Sequence, residues 1–153
     1  MLLVRHAKSS WADTALADID RPLKQRGVSD ALLMRSKHLA LFSRPDTFVL
    51  SSTATRAVAT ATILFEQSPR QEQQLYTFDN RQLHQVIASY LTASNIKKLA
   101  IIGHNPALHL FIENACQCSL EKFPTAAIAV IGITDSHSLT GDLIYSAKPS
   151  DWR

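Results

Sequence analysis

Leu2-Leu3-Val4-Arg5-His6-Ala7 near the start of the chain and Leu99-Ala100-Ile101-Ile102-Gly103-His104-Asn105-Pro106 far downstream share one construction: a short, wholly apolar run that stops at an imidazole. A run that is apolar at every position reads as a strand covered on both faces, which is the habit of parallel sheets flanked by helices. Thr47-Phe48-Val49-Leu50, apolar after its first residue and ending in Ser51-Ser52-Thr53, reads as a further strand. Helical periodicities separate them. Val28, Ala31, Leu32, Leu39 and Phe42 predict a helix over roughly residues 24 to 42 that stops before Pro45. Ala57, Ala61, Leu64 and Phe65 mark a second, and Leu83, Val86, Ile87, Tyr90 and Leu91 a third, with a short strand near Gln74 to Tyr76 between them. Pro106 sits at a first-turn position of a further helix. The last third changes character. Ala126 to Ile133 and Leu143 to Ala147 are strand-like and separated by Asp135, Ser136 and Gly141, as in a terminal hairpin or edge pair. The expected fold is a single α/β domain over residues 1–153, with three layers, α/β/α, a mostly parallel central sheet and C-terminal edge strands.

Composition narrows the function classes. Hydrophobic residues make up 46% of the 153 positions and charged residues 19%, with only 4 Gly and 6 Pro, so disordered and collagen-like classes are excluded. Lys plus Arg exceed Asp plus Glu by 16 to 13, and basic and aromatic residues are not interleaved. That balance is too weak for a nucleic-acid partner. The apolar stretch from Leu99 to Ile112 is interrupted by Gly103, His104, Asn105, Pro106 and His109, and the N-terminus has no basic leader before a long apolar core, so no membrane span or secretion signal is expected. Cys116 and Cys118, one residue apart in a helical stretch, point away from each other and should not bridge. Neither Cys nor His has the paired spacing of a structural zinc site. Reduced thiols, a cytoplasmic setting, and no metal or other cofactor are the expectation.

In an open parallel sheet the carboxyl ends of the strands share one edge, which brings distant residues into one cleft. Arg5-His6, Ser51-Ser52-Thr53 with Arg56 a turn later, and Gly103-His104-Asn105-Pro106 all fall at such ends. Guanidinium forks match phosphate oxygens, and helix N-termini add free amides and a positive dipole end. A neutral imidazole within reach of phosphorus can serve as a nucleophile, with arginines lowering its pKa and stabilising the equatorial oxygens. His6 is the candidate nucleophile. His104 is a second donor across the phosphate, while Arg5 and Arg56 hold the oxygens, and Ser52 is a further contact at the end of the second strand. The connection from Lys8 to Pro22 is long and of mixed charge, which suggests a mobile rim over the cleft.

These residues resemble the histidine phosphatase superfamily, the phosphoglycerate-mutase-like fold. Arg5-His6-Ala7 is similar to its Arg-His-Gly signature with Ala for Gly. Arg5-His6-Ala7-Lys8-Ser9-Ser10-Trp11, Asp20-Arg21-Pro22-Leu23 with Gly27, Ser51-Ser52 with Arg56-Ala57 and Thr60-Ala61, Gly103-His104-Asn105-Pro106, and Lys122-Phe123-Pro124-Thr125-Ala126 resemble its small SixA-type phosphohistidine phosphatase branch. The resemblance implies that His6 is phosphorylated during turnover, that Arg5 and Arg56 bind phosphate, that His104 is the second pocket histidine, and that Arg21 of the entry loop reaches phosphate or substrate. Many relatives carry a glutamate, as general acid, where this chain has Thr77 after Leu75-Tyr76. Asp79 could substitute, as could Asp13, Asp18 or Asp20.

A phosphoramidate needs that acid less, because its imidazole leaving group can arrive protonated. The expected activity is therefore metal-independent dephosphorylation of phosphohistidine on proteins. The alternatives are a phosphatase or mutase of the same mechanism acting on a small phosphoester, and a noncatalytic phosphate-binding domain.

Overall fold

Four parallel strands and an antiparallel pair form one six-stranded sheet in the order β3-β2-β4-β1-β5-β6. The strands are β1 (Leu2–Arg5), β2 (Phe48–Ser52), β3 (Arg70–Glu72), β4 (Leu99–Gly103), β5 (Ile128–Asp135) and β6 (Thr140–Ala147). The helices are α1 (Gln25–Lys37), α2 (Leu39–Phe42), α3 (Thr55–Phe65), α4 (Asn80–Ala93) and α5 (Ala107–Cys116). The computed structural model describes residues 1–93 and 95–153.

Successive residues of each buried strand serve opposite faces. Leu3, Leu50, Leu99 and Ile101 pack with Leu83, Val86 and Ile87 of α4 and with Leu108, Phe111 and Ile112 of α5. Leu2, Val4, Val49, Ala100 and Ile102 pack with Ala31 and Met34 of α1 and with Ala57, Ala61 and Leu64 of α3. This is the three-layer α/β/α arrangement, and it explains why β1 is apolar up to its last residue, Arg5, and β4 throughout. β5 and β6 form the expected C-terminal pair, with β6 at the edge.

Two local expectations are corrected. The segment 73–75 is a 3-10 turn, and the short strand lies just before it at Arg70–Glu72, paired in parallel with β2 from Leu50 to Ser52. The long first helix is two helices. It breaks at His38, whose Nδ1 meets the Met34 carbonyl and whose Nε2 meets the Tyr145 hydroxyl at 2.9 Å each. Its buried face matches the expected stripe only in part: Ala31 and Phe42 are buried, Val28, Leu32 and Leu39 are exposed, and Gly27, Asp30 and Met34 are buried as well. Asp30 pairs with Arg153, and a Cβ on Gly27 would stand 2.2 Å from the Lys8 carbonyl oxygen. Only glycine lets α1 close on the end of the β1 turn there.

Candidate active site

The sheet register brings the site together. β4 lies between β1 and β2, with Arg5 beside Gly103 and Ser51 beside Ile102, so the three carboxyl ends are neighbours. The His6 amide continues the pairing by donating to the Gly103 carbonyl at 3.1 Å. The resulting cleft has a volume of about 460 Å³, and Arg5, His6, Arg21, Arg56 and His104 all line it.

His6 is buried at its floor. Its Nδ1 lies 2.8 Å from the Ala7 carbonyl oxygen, which can only accept, so the ring proton is on Nδ1 and Nε2 carries a lone pair. Burial pulls the His6 pKa down to about 4; the Ala7 carbonyl opposes this and the charges of Arg56, Arg5 and Arg21 reinforce it. The imidazole is neutral at neutral pH.

His104 faces it, with ring centroids 5.0 Å apart. Its Nε2 is 2.8 Å from Ser52 Oγ, which already accepts from the Ala54 amide at 3.2 Å. With the Ser52 hydroxyl donating to Nε2, the ring proton sits on Nδ1, a buried nitrogen with no partner among the described residues. Burial, then the neighbouring His6 and Arg56, lower the His104 pKa to about 3. Edges of Tyr76 and Phe78 wall the ring, at centroid distances of 5.3 and 5.7 Å.

Arg56 comes from the first turn of α3 and is 2% exposed. Its Nε donates toward His6 Nε2 at 3.3 Å. Thr60, one turn on, ties helix to strand: the Ala7 amide donates to Thr60 Oγ1 at 2.9 Å, and that hydroxyl donates to the Arg56 carbonyl at 2.6 Å. Arg5 donates from one terminal nitrogen to the Phe123 carbonyl at 3.0 Å, and the Asn105 amide donates to the same oxygen at 2.8 Å. Arg5 Nε is buried and unpartnered.

The remaining charge comes from the loop between Lys8 and Pro22. Asp18 lies within it, and its Oδ2 accepts from Arg56 at 2.8 Å and from the Tyr76 hydroxyl at 2.6 Å. Its Oδ1 accepts from Arg21 Nε at 3.0 Å and again from an Arg21 terminal nitrogen. Burial pushes the Asp18 carboxyl up, but hydrogen bonds from Tyr76, Arg56 and Arg21 prevail and hold it well below the usual carboxylate range. Arg21 also bonds Ser9 Oγ at 3.0 Å and stacks on Trp11, with its guanidinium carbon 3.5 Å from the ring centroid. The loop is anchored at its base, with Ser10 donating to the Pro22 carbonyl and Lys24 to that of Lys8.

The structure therefore brings together His6, Arg5, Arg56, His104 and Arg21. Ser52 stands behind His104 and orients it. Asp79 is exposed and caps α4, accepting from the Arg81 amide at 2.8 Å, and it does not line the cleft. Asp18, Tyr76 and Phe78 occupy the ground the sequence left open; Asp18 was one carboxylate among several, and no periodicity flags an aromatic in an irregular segment. Among the described residues no group of three or more His, Cys, Asp or Glu side chains is placed to hold a metal ion, and no helix is long and apolar enough to cross a membrane. Cys116 and Cys118 are free thiols.

Comparison with known proteins agrees with this geometry. Residues 1–79 match the family model of the histidine phosphatase superfamily (branch 1). The uncharacterized protein Rv1276c of Mycobacterium tuberculosis is 33% identical over 141 residues, covering 85% of this chain and 87% of its own. The structure of the protein histidine phosphatase SixA complexed with tungstate superposes with a TM-score of 0.82 at 19% identity, over 99% of this chain and 98% of that one. The SixA protein of Agrobacterium tumefaciens superposes with a TM-score of 0.78 at 25% identity, over 97% and 96% of the two chains. By sequence and by fold the chain belongs to the histidine phosphatase superfamily, branch 1, and is a phosphatase with a histidine mechanism.

Proposed function

We propose that the chain removes phosphate from phosphohistidine side chains of proteins through a phospho-His6 intermediate, using no metal. One observation carries this reading. The only carboxylate among the described residues lining the cleft is Asp18, and it is held ionised by Arg56, Arg21 and Tyr76. An ionised carboxylate cannot protonate a leaving group. An alkoxide leaving from a phosphoester needs a proton at that moment, whereas a phosphohistidine ring can bring its own.

The His6 Nε2 lone pair forms the new P–N bond as the substrate's P–N bond breaks. That electron pair returns to the substrate ring, which departs as neutral imidazole because its other nitrogen is already protonated. The His6 proton stays on Nδ1, donated to the Ala7 carbonyl throughout, so no base is needed. Arg5, Arg56 and the Nδ1–H of His104 supply donors for the equatorial oxygens. Water then attacks phosphorus, the electron pair returns to Nε2, and dihydrogen phosphate leaves. A rim with Trp11 72% and Phe78 51% exposed favours a site that accepts a side chain projecting from a larger partner.

The deciding experiment offers the protein a phosphohistidine protein and a panel of phosphoesters in parallel, with EDTA present. A kcat/KM that favours the phosphohistidine protein supports the reading, and one that favours sugar phosphates or nucleotides overturns it.

A further inference from the structure

We infer that Asp18 is a specificity-determining residue of this site, its carboxylate selecting substrates whose leaving group is a protonated ring over those that leave as oxyanions. The inference rests on the phosphohistidine reading and deepens it.

Asp18 is held far more firmly than its exposed loop requires. Its carboxylate accepts four hydrogen bonds, from Arg21, Arg56 and Tyr76, and its backbone carbonyl accepts another from Arg56. A loop carboxylate without a task is satisfied by water and leaves its surroundings free. Here three separate segments are aimed at one carboxylate that stays 42% exposed at the cleft mouth.

The direction of the chemistry makes that position informative. In-line displacement places the leaving group opposite the nucleophile. His6 is buried and Asp18 in the same cleft is partly exposed, so a leaving group opposite His6 lies toward the open end where the carboxylate is. The phosphate need not evict Asp18, because Arg5 and His104 line the same cleft and hydrogen-bond to Phe123 and Ser52 rather than to the carboxylate.

Between its two arginines, the Asp18 carboxylate acts oppositely on the two substrate types when set against a neutral side chain at the same place. It favours binding of a phosphohistidine ring in its protonated, cationic form, the form that breaks its P–N bond to give neutral imidazole. It opposes the negative charge that develops on the oxygen of a departing alcohol or phenol.

The test compares wild type with Asp18→Asn and Asp18→Ala, on a phosphohistidine peptide and on p-nitrophenyl phosphate, with thermal unfolding confirming that each variant is folded. Loss of one unit charge in a partly exposed site should lower the ratio of kcat/KM for the phosphohistidine peptide to that for p-nitrophenyl phosphate by about tenfold. Asp18→Glu should restore part of the wild-type preference. Parallel losses on both substrates would show that Asp18 merely steadies Arg56 and would overturn the selectivity role, as would an unchanged ratio. A wild type that prefers the ester overturns the substrate reading itself, before any variant is made.

Discussion

Arg56 Nε stands 3.3 Å from the Nε2 of His6, on the lone-pair side of a ring whose proton is held by the Ala7 carbonyl. The same guanidinium that repels a proton from the nucleophile is therefore positioned to receive the oxygens of the group that the nucleophile attacks.

Replacing His6 by Ala should abolish turnover and remove any trapped phosphoenzyme while the fold is retained. Labelling with a radioactive phosphodonor and testing the bond chemically checks this, because an N-linked phosphate is lost in acid and comparatively stable in alkali. Label on any other residue would refute the assignment.

His104→Ala should lower kcat by on the order of 10²–10³, the usual effect of removing one transition-state donor. Ser52→Ala should lower it less, since the ring remains but loses the hydroxyl that orients it. Single-turnover kinetics separates this chemical step from phosphoenzyme breakdown.

Acid should destabilise the folded protein through its two buried imidazoles. The unfolded chain protonates both near pH 6.5, whereas the folded chain resists until about pH 4 for His6 and about pH 3 for His104. Both folded values lie below the unfolded one, so the unfolded state binds more protons and stability falls as pH drops from 6.5 toward 4. The slope is on the order of 1.4 kcal/mol per pH unit for each group. Urea unfolding across this range measures it, and a His6→Asn, His104→Asn double variant should show a flatter profile.

Thr60→Val should cost about 1–3 kcal/mol, because it leaves the buried Ala7 amide without an acceptor. Chemical unfolding reports the loss; a change within experimental error would mean that another group takes the amide.

Activity should survive EDTA and be inhibited by vanadate, which can imitate five-coordinate phosphorus, since Arg5, Arg56 and Arg21 provide positive charge in the cleft. Loss on chelation with recovery on adding zinc or manganese would contradict the metal-free mechanism.

The apolar strand runs and the residues that stop them were legible because burial on both faces leaves a local mark: Val4 then Arg5-His6, Ile102 then Gly103-His104. The face of α1 was not legible, since Gly27 and Asp30 lie on the buried side for reasons supplied by Lys8 and Arg153, far away in sequence. Asp18 posed the same difficulty. The sequence offers Asp79 first and Asp13, Asp18 and Asp20 beside it, and only the fold brings Arg21, Arg56 and Tyr76 onto Asp18. Its place at the end of a strand marks Ser52 as a substrate contact, yet the side chain lies behind the imidazole, hydrogen-bonded to His104 and to the Ala54 amide.

The loop from Lys8 to Pro22 leaves the sheet and returns at neighbouring points, stitched by the Ser10–Pro22 and Lys24–Lys8 backbone hydrogen bonds. Between those stitches its length is nearly free, because doubling a flexible loop costs only about 0.6 kcal/mol. Insertions between Ser10 and Asp18 can therefore accumulate without disturbing His6, Arg56 or His104, whose places are fixed by the sheet and by α3. Evolution, or a laboratory library confined to residues 11–17, has here an exchangeable cassette: it can redraw which molecules are admitted while the bond-breaking apparatus is inherited intact.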